Sequence, residues 1–537
     1  MTKPFDVIII GSGFGGAVTA CRLAEKGAKV LILERGRRWE TKDYPRDPSD
    51  AWIYDPHEPH KQNGWLDFRF FDDMAVAMGA GVGGGSLIYA NVSIEAKPWL
   101  FKKGWPPEII YEELKPYYDR VGKMLNVQYV PDNQLTKRFR LMKESAVALG
   151  YGERFHKLPL AVTFDEGWNP GLEDPFNDKH SKNRTNAQGQ EQGTCVHCGN
   201  CPIGCQVKAK NTLDLNYIPW AEKHGAEVRP LHLVRYIEPE KSGQKNSGPG
   251  DGGYRIHFDR IVDGKLIPGS ESAKRVIIAA GSLGSTELLL RCRDQYKSLP
   301  NLSRFLGQNW SSNGDFLTPA RYDNRKISPT QGVTISGSID FLDEDESVPQ
   351  FFIEDGGAPN ALRNYLESMK SAKPKSRVLH AILKELIELM GPEDPFGAVM
   401  PWFAQGVDAA NGRLYLGRPW YAFWRKKRLR MDWEIERSEP VIAAIINMHK
   451  RLSAATGGKP QVPLFWSAFK NLITPHPLGG CNMGEDATSG VVNHRGEVFG
   501  YPNLFVADGA IIPEAIGLNP SRTIAALAER IAALITL

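Results

Sequence analysis

The chain has 537 residues, more than one hydrophobic core can organise, because single cores stop growing at about 250–300 residues. Hydrophobic residues make up 42% and charged residues 24%, values typical of a folded globular protein. The 66 Lys and Arg residues and 62 Asp and Glu residues leave a net charge of +4, which argues against a surface dedicated to nucleic acid. We therefore expect at least two domains or one elaborated two-lobed fold.

The N-terminal residues predict a strand, a turn, a helix and a second strand. Asp6–Ile10 and Lys29–Leu33 are continuous apolar runs, and Ala17–Lys26 between them has helical spacing. A glycine-rich turn separates the first strand from the helix. The pattern is that of a βαβ unit.

The glycine spacing in this turn is typical of a dinucleotide site. Gly11 permits a tight turn, Gly13 lets a pyrophosphate approach the backbone, and Gly16 allows the helix to pack closely on the sheet. The N terminus of the helix then faces the phosphates. Glu34, 18 positions after Gly16, ends the second strand, where its carboxylate can accept hydrogen bonds from both ribose hydroxyls. The sequence therefore predicts that this unit binds a dinucleotide.

A second glycine-rich loop contains Gly79, Gly81 and Gly84 and repeats the same spacing. The preceding residues Asp72–Ala75 make a poor strand, and no acid ends a following strand at the right distance. We expect the backbone of this loop to lie against a planar cofactor and do not expect a second nucleotide site.

Residues 127–194 are polar and predict an irregular excursion across the surface. Two later strands, each followed by a small-residue turn and a helix, are expected to join the first sheet. The region between these strands predicts a second domain. The segments concerned are the strands Arg275–Ala279 and Asn503–Val506, the helices Ser285–Arg291 and Ser521–Ile535, and, in the second domain, the strand Val333–Ile339 and the helices Ser376–Met390 and Pro440–Thr456.

Four segments carry a more specific pattern: Gly79–Leu87 with Asn91, Val276–Thr286, His476–Cys481, and Asn503–Gly509 followed by Gly517–Pro520. Together they resemble the glucose-methanol-choline (GMC) oxidoreductase family, and within it the cholesterol-oxidase-like branch. The first two resemble FAD-contacting segments, the third the active-site histidine segment, and the last the flavin-binding tail. Residues 316–469 resemble the family only loosely.

The resemblance implies an α/β fold, in which a Rossmann-like FAD-binding domain is interleaved with an α+β substrate-binding domain. The implied division is an FAD-binding part at 1–110, an excursion and cap region at 111–194, an FAD-binding part with the cysteine-rich segment at 195–315, the substrate-binding domain at 316–469, and a final FAD-binding part at 470–537. The expected cofactor is FAD. The residues expected to bind it are Gly11, Gly13, Phe14, Gly15, Gly16, Glu34, Gly81, Gly84, Gly85, Ser86, Asn91, Ala280, Gly281, Asp508, Gly509, Asn519 and Pro520.

The resemblance also implies two catalytic residues, His476 and Asn519. Oxidation of an alcohol by hydride transfer to flavin requires the hydroxyl proton to leave, and an imidazole that titrates near neutrality can accept it. Asn519 alone would be an ordinary helix cap, but the family has an asparagine here beside the flavin and the substrate oxygen. Many other members have a second histidine at this position, so Asn519 favours the cholesterol-oxidase side.

One feature of that branch has no secure counterpart. Cholesterol oxidases carry a glutamate in the substrate domain that moves a proton during double-bond isomerisation. The corresponding region, residues 391–398, offers only Glu393 and Asp394, which are flanked by prolines and are typical of a solvated loop. The sequence therefore predicts that a Δ5-sterol, if accepted, gives mainly the unisomerised ketone.

Four of the seven cysteines lie close together. Cys195, Cys198, Cys201 and Cys205 have the C-x2-C-x2-C-x3-C spacing of a ferredoxin cluster. No proline follows the last of them and no second set exists, and a similar segment occurs in this GMC branch without a cluster as part of the family's chemistry. We expect structural thiols and no metal, with an iron–sulfur cluster or zinc as the alternative.

The remaining expectations concern partners and location. Trp420–Trp424 precedes the basic run Arg425–Arg430, which predicts either an exposed charged loop or a rim that contacts anionic lipid. No secretion signal and no apolar run of membrane-spanning length are visible, so we expect a cytoplasmic protein, with peripheral contact with a membrane through that rim as the alternative.

The sequence as a whole predicts an FAD-dependent oxidoreductase that oxidises the hydroxyl group of a hydrophobic alcohol, either a sterol or a long-chain alcohol. Oxygen or another redox partner would accept the electrons. Two alternatives stay open. One is an electron-transfer flavoprotein with an iron–sulfur cluster, and the other is an enzyme of the FAD fold with a steroid or lipid substrate that is not an alcohol.

Overall fold

The computed structural model describes residues 5–47, 49–240, 250–343, 345, 347–359, 361, 396–418, 424, 427–468 and 470–537. The strands of these residues, in chain order, are β1 (Phe5–Ile10), β2 (Val30–Leu33), β3 (Leu66–Phe70), β4 (Met74–Gly79), β5 (Gln128–Tyr129), β6 (Phe155–Lys157), β7 (Pro159–Leu160), β8 (Arg184–Thr185), β9 (Glu191–Gln192), β10 (Glu227–Arg229), β11 (His232–Pro239), β12 (Tyr254–Val262), β13 (Lys265–Ile278), β14 (Phe316–Arg321), β15 (Gly337–Asp340), β16 (Phe351–Asp355), β17 (Val399–Gly406), β18 (Arg413–Gly417), β19 (Arg428–Asp432), β20 (Lys459–Pro460), β21 (Leu472–Thr474) and β22 (Leu504–Val506). The α-helices of the same residues are α1 (Phe14–Glu25), α2 (Tyr111–Met124), α3 (Lys137–Ala148), α4 (Tyr217–Lys223), α5 (Gly281–Leu290), α6 (Glu439–Ala455), α7 (Leu464–Ser467) and α8 (Ser521–Leu534).

The first sheet is the Rossmann-like layer. Its parallel strands run in the order β10-β2-β1-β13-β22, and the antiparallel strands β12 and β11 extend it from the N-terminal half of β13. The inner parallel strands β1 and β2 and the strand β22 are almost wholly apolar and buried, as expected for a sheet covered on both faces, whereas the edge strand β10 carries Glu227 and Arg229. Both later strands predicted to join this sheet do so.

Helix α1 starts at Phe14, three residues earlier than the sequence pattern predicts, and includes Gly15 and Gly16. A Cβ atom at Gly15 would lie 1.8 Å from the carbonyl oxygen of Ala507, and one at Gly16 would lie 2.0 Å from that of Gly11. The two glycines therefore let α1 approach the strand ends more closely than any other residue could. Because Gly15 and Gly16 carry no apolar side chains, the helical spacing of apolar residues is visible only from Ala17 onward.

Helices α1 and α8 come from opposite ends of the chain and pack against each other. Arg22 of α1 donates to both carboxylate oxygens of the buried Glu529 of α8 at 2.8 Å, and the Tyr217 hydroxyl donates to the same carboxylate at 2.8 Å. A buried carboxylate with this many donors fixes the relative position of the helices, because an unpaired charge there would be costly.

The second sheet is antiparallel and has the order β20-β14-β17-β16-β15-β6. Helices α6 and α3 pack against it. The expectation of irregular structure over residues 127–194 is wrong for helix α3 and for the short strands β5 to β9, which lie there. Helix α3 packs against the second sheet and β6 is its edge strand, so both depend on tertiary contacts that local sequence composition does not reveal.

The expectation of a poor strand before the second glycine loop is also wrong. β4 runs from Met74 directly into Gly79 and pairs with β3 and, in parallel, with β21. Because β21 ends at Thr474, this small sheet connects the glycine loop to the segment that contains His476. The loop continues into a 3-10 turn over Gly84–Leu87, unlike the α-helix that follows the first glycine loop.

Several sequence predictions fall outside the described residues. They are the helix Ser376–Met390, the acids Glu393 and Asp394, and most of the aromatic–basic run from Trp420 to Lys426. Within the described part of the chain, no helix is long and apolar enough to cross a bilayer.

Candidate active site

A cavity of about 700 Å³ runs between the two sheets. At one end it is bounded by the N terminus of α1 and by Glu34, and at the other by His476 and Asn519. The strand β17 supplies Pro401 and Phe403 to the wall of that second end. Elongated ligand sites of this volume lie commonly at the C-terminal edge of a parallel sheet, where β1 and β13 end here.

The cradle at the α1 end has the properties of a phosphate site. Gly13 precedes α1, no side chain caps the helix, and the first N–H groups therefore face the cavity without an intrahelical partner. A Cβ atom at Gly13 would come no closer than 4.0 Å to Gly84, and one at Gly85 or Gly281 would meet nothing within 4 Å. These positions border space that a bound group can fill.

His476 lies at the far end of the cavity, in the turn that follows β21. Its Nδ1 lies 2.9 Å and 3.1 Å from the two carboxylate oxygens of Asp315, which is completely buried. The Thr474 hydroxyl lies 2.5 Å from Asp315 and accepts a hydrogen bond from the backbone N–H of His476 at 2.8 Å. With Nδ1 engaged by the carboxylate, Nε2 is the ring nitrogen that can meet a substrate.

Asn519 lies next to a buried acid that the sequence analysis did not identify. Its amide Nδ2 lies 3.4 Å from Oε2 of Glu354 on β16, and Gln405 of β17 donates to the same oxygen at 2.9 Å. Oε1 of Glu354 and Oδ1 of Asn519 are both buried without a hydrogen-bond partner among the described residues. Unpartnered polar atoms of this kind are rare and indicate a site that a ligand completes.

Burial and neighbouring charges shift the pKa values of His476 and Glu354. Burial lowers the pKa of His476, but the charge of Asp315, its hydrogen bond and the charge of Glu354 outweigh burial, so the pKa stands above its ordinary value. Burial raises the pKa of Glu354 to about 7, against the opposing effects of Gln405, His476 and Asn519. A carboxyl group with a pKa of about 7 thus lies next to Asn519, and an imidazole with a raised pKa lines the cavity, an arrangement suited to acid–base catalysis.

Comparisons with known proteins show the family of the chain. A family model described as GMC oxidoreductase matches residues 424–528, and one described as NAD(P)-binding Rossmann-like domain matches residues 9–44. A cholesterol oxidase from Acinetobacter baumannii is 30% identical over 547 residues, covering 98% of this chain and 93% of that protein. The chain belongs to the GMC oxidoreductase family. A cholesterol oxidase from Mycobacterium tuberculosis (strain ATCC 25618 / H37Rv) is 31% identical, covering 99% of this chain and 91% of that protein.

Solved GMC-like structures share the fold at lower identity. Pyridoxine 4-oxidase from Mesorbium loti has a TM-score of 0.61 and 17% identity over 98% of both chains. Formate oxidase from Aspergillus oryzae has a TM-score of 0.60 and 13% identity, covering 98% of this chain and 97% of that one. The family, the α/β fold with its Rossmann-like domain, and FAD as the cofactor were predicted from the sequence and are confirmed.

The predicted cofactor residues of this GMC protein divide into two groups. The first group lines the cavity: Gly11, Gly13, Phe14, Gly15, Glu34, Gly84, Gly85, Ala280, Gly281, Asp508, Gly509, Asn519 and Pro520. The second group, Gly16, Gly81, Ser86 and Asn91, is not part of the cavity wall. Gly81 packs against Trp39, where a Cβ atom would lie 2.5 Å from the ring, and the Ser86 hydroxyl donates to Gly83 and accepts from Leu213.

Two acids of the FAD-binding lobe make hydrogen bonds that organise the cradle. Glu34 accepts from the backbone and hydroxyl of Ser12 at 3.0 Å and 2.6 Å and from the backbone N–H of Gly36 at 2.9 Å. Asp508 accepts from the backbone N–H of Gly281 at 2.8 Å and from the Ser285 hydroxyl at 2.5 Å, so it caps α5. Both carboxylates border the cavity and also hold the loops that form it.

Three residues of the site, Asp315, Glu354 and Gln405, were not predicted from the sequence. Glu354 had a visible signal, because an acid follows the apolar residues Phe351–Ile353 in a strand whose residues are all buried. Asp315 follows Asn313 and Gly314 and has the sequence of an ordinary turn, so only the fold relates it to His476. Gln405, in β17, gives no signal of its own.

The cysteine segment lies beside the cavity. Pro202 and Ile203 line the wall, and the Lys210 ammonium, which is buried, donates to the carbonyls of Leu87 and Cys201 at 2.9 Å and 2.8 Å. Burial lowers the pKa of Lys210 to about 8. In the described part of the chain, no group of three or more His, Cys, Asp or Glu side chains is arranged to hold a metal ion.

Proposed function

We propose that this FAD-dependent oxidoreductase converts the ring hydroxyl of a sterol, or the hydroxyl of a similarly large hydrophobic alcohol, to a carbonyl. The observation that supports the substrate class is the wall of the cavity around His476. Leu317, Ile335, Pro401 and Phe403 form much of it. Such a wall favours apolar area at roughly 25 cal/mol per Å² and disfavours the several hydroxyls of a sugar. The similarity to cholesterol oxidases points the same way.

His476 is the proposed proton acceptor. Its Nδ1 hydrogen bond to Asp315 orients the ring and directs Nε2 toward the cavity, where Nε2 takes the proton of the substrate hydroxyl. FAD, when bound, supplies the acceptor for the two electrons that leave the carbinol carbon. Asn519 is proposed to hold the substrate oxygen by its amide, and the N terminus of α1 with Gly13 to hold the pyrophosphate.

Glu354 changes our expectation about the product. The acid is buried next to Asn519, and its pKa of about 7 allows it both to take and to return a proton near neutrality. We therefore assign to Glu354 the double-bond isomerisation that the family glutamate performs in cholesterol oxidases. A Δ5-sterol should then leave mainly as the conjugated enone, in contrast to the product predicted from the sequence.

The remaining assignments of the sequence analysis are kept as proposals. They are oxygen as the electron acceptor, the five-segment domain division and the peripheral contact with a membrane. For the last of these, Phe70 is 73% exposed and Ile473 38% exposed, and both align with Ala75 in the sheet β21-β4-β3. Arg430 pairs with Asp72 beside them, which places the basic strand β19 next to these apolar residues.

Anaerobic reduction of the bound flavin by a panel of alcohols tests the proposal. Sterols should bleach the flavin faster than fatty alcohols, and glucose and choline should bleach it slowest. His476→Gln should keep its flavin spectrum but reduce on the order of 10²–10⁴-fold more slowly. A preference for glucose would refute the substrate class, and an unchanged rate in His476→Gln would refute the role of the imidazole.

Cosedimentation with vesicles tests the membrane contact separately. Binding should depend on anionic lipid and should weaken in Phe70→Ser. Equal binding of Phe70→Ser and the unmodified protein would refute the contact.

Iron equal to one cluster per chain, together with no bleaching by any alcohol, would favour the electron-transfer alternative.

A further inference from the structure

The loop that precedes β14 places one carboxylate against the active-site imidazole. Asp315 is the last residue of this loop, and its side chain is completely buried. Both of its oxygens lie within 3.1 Å of Nδ1 of His476, a ring that is 17% exposed. The contact joins residues that are 161 positions apart in the sequence, so it is a product of the fold.

The loop itself is held by a second buried acid. Asp408 accepts hydrogen bonds from the Ser311 hydroxyl at 2.8 Å, and from the backbone and hydroxyl of Ser312 at 2.9 Å and 2.8 Å. These bonds fix the backbone that leads into Asp315. The position of Asp315 is therefore set by the loop as well as by its own partners.

The same loop is connected to the segment that contains Asn519. Nδ2 of Asn313 donates to the carbonyl of Leu518 at 2.8 Å, and its Oδ1 accepts from the backbone N–H groups of Ile516 and Gly517 at 3.0 Å and 2.9 Å. Asn313 is fully buried. One loop thus fixes both Asp315, the partner of His476, and the backbone that leads into Asn519.

We propose that Asp315 is a positioning residue for the oxidation, and that it holds His476 as the Nδ1–H tautomer and retains the proton taken from the alcohol as an imidazolium–carboxylate pair. The inference rests on the proposed function of His476 as the proton acceptor. The proton moves from the substrate hydroxyl to Nε2, the Nδ1–H stays hydrogen-bonded to Asp315, and the charge formed on the ring is balanced by the carboxylate. An imidazole without this partner would present a mixture of tautomers and would gain an unbalanced buried charge.

Two carboxylates face the imidazole. Asp315 is in direct contact, and Glu354 acts on it through space from β16. Both carboxylates raise the pKa of His476, whereas burial lowers it by favouring the neutral ring. Because these effects have opposite signs, removal of the Asp315 charge should let burial dominate, and the pKa of His476 should fall.

The principal test compares Asp315→Asn with the unmodified holoenzyme in anaerobic stopped-flow reduction by a sterol, as a function of pH. The unmodified rate should rise with pH through the raised pKa of His476, because only the neutral ring accepts a proton. Asp315→Asn should reduce the limiting rate on the order of 10²–10⁴-fold. The acidic limb of the pH–rate profile should move to lower pH in Asp315→Asn. The dissociation constant of the sterol should stay within about threefold of that of the unmodified enzyme.

Two control variants separate this role from other effects of a lost acid. Asp408→Asn neutralises the buried carboxylate that holds this loop from the end of β17. That carboxylate does not act on His476, so the acidic limb of the pH–rate profile should keep its position. Glu354→Gln should change the product ratio, whereas Asp315→Asn should not. A limb that shifts equally in Asp408→Asn, or that does not shift in Asp315→Asn, would overturn the proposal.

A measurement on the unmodified protein keeps the proposal testable if Asp315→Asn fails to fold. In ¹⁵N-histidine-labelled protein, the His476 resonances, assigned by their loss in His476→Gln, should show the Nδ1–H tautomer above the pKa. The Nε2–H tautomer would overturn the proposal. Bleaching of the unmodified flavin by sterols tests the proposed function itself, so failure of the function and failure of the Asp315 role give different results.

Discussion

Glu354→Gln is the substitution with the sharpest expected outcome. Gln has nearly the same size as Glu and can still accept the hydrogen bond that Gln405 donates at 2.9 Å, but it cannot take up a proton. Oxidation of a Δ5-sterol should continue, because His476 accepts the hydroxyl proton. Isomerisation should slow by on the order of 10²–10⁴-fold, the usual contribution of a positioned acid–base group.

The same substitution has an effect on stability that can be calculated from the pKa. The carboxyl group titrates at about 7 in the folded chain and at 4.5 ordinarily, so the folded state binds its proton more tightly than the unfolded state. The stability that this group contributes is therefore fully present below pH 4.5 and is lost as the pH rises through about 7. The loss by pH 8 is about 3 kcal/mol, since each pKa unit corresponds to about 1.4 kcal/mol.

Two assays follow from these numbers. Chromatography of early time points should show the unconjugated ketone accumulating with Glu354→Gln and the enone with the unmodified enzyme. Thermal denaturation should show that the variant gains stability relative to the unmodified protein as the pH is raised from 5 to 8. Enone formation at the unmodified rate would refute the assignment of the isomerising acid, and a pH-independent difference in stability would refute the raised pKa.

Three further substitutions test the cradle and the core. Gly13→Val should fold, because the backbone there borders open space, but should retain FAD poorly, as flavin content after gel filtration would show; unchanged retention would argue against the cradle. Glu34→Arg should also weaken FAD retention, since the ribose loses its acceptor, and an FAD dissociation constant equal to that of the unmodified protein would contradict this. Arg138→Met should cost about 3–5 kcal/mol, because the completely buried Arg138 pairs with Asp355 and binds several backbone carbonyls; a melting temperature within a degree of the unmodified protein would refute that estimate.

The sequence predicted the FAD-binding lobe well because its signals are local. Strand β1, the glycine turn, α1 and Glu34 lie within 30 residues, and each has a spacing with a physical cause. The start of β4 was missed because two aspartates, Asp72 and Asp73, precede it. Helix α3 was missed because its buried face contains polar residues, among them Arg138 and Ser145.

The catalytic partners could not be predicted from spacing. His476 and Asn519 were found through resemblance to the family, and the roles proposed for them still require the tests above. Asp315 and Glu354 approach them from loops and strands that lie more than 150 positions away. A buried acid in an apolar strand is a usable sequence signal for Glu354, but its neighbour Asp355 shows the same signal and instead pairs with Arg138.

The middle strand of the first sheet has consequences for how the protein is made. β13 pairs Ile278 with Ile10 on one side and with Val506 on the other, so the sheet joins three distant stretches of the chain. Pairings of such high contact order form late and slowly. On the ribosome, the N-terminal glycine turn emerges long before β22, α8 and the Asp508 cap that complete its surroundings. We therefore expect flavin to bind after β22 and α8 have been synthesised, and expect the incomplete sheet to be the species most prone to aggregation.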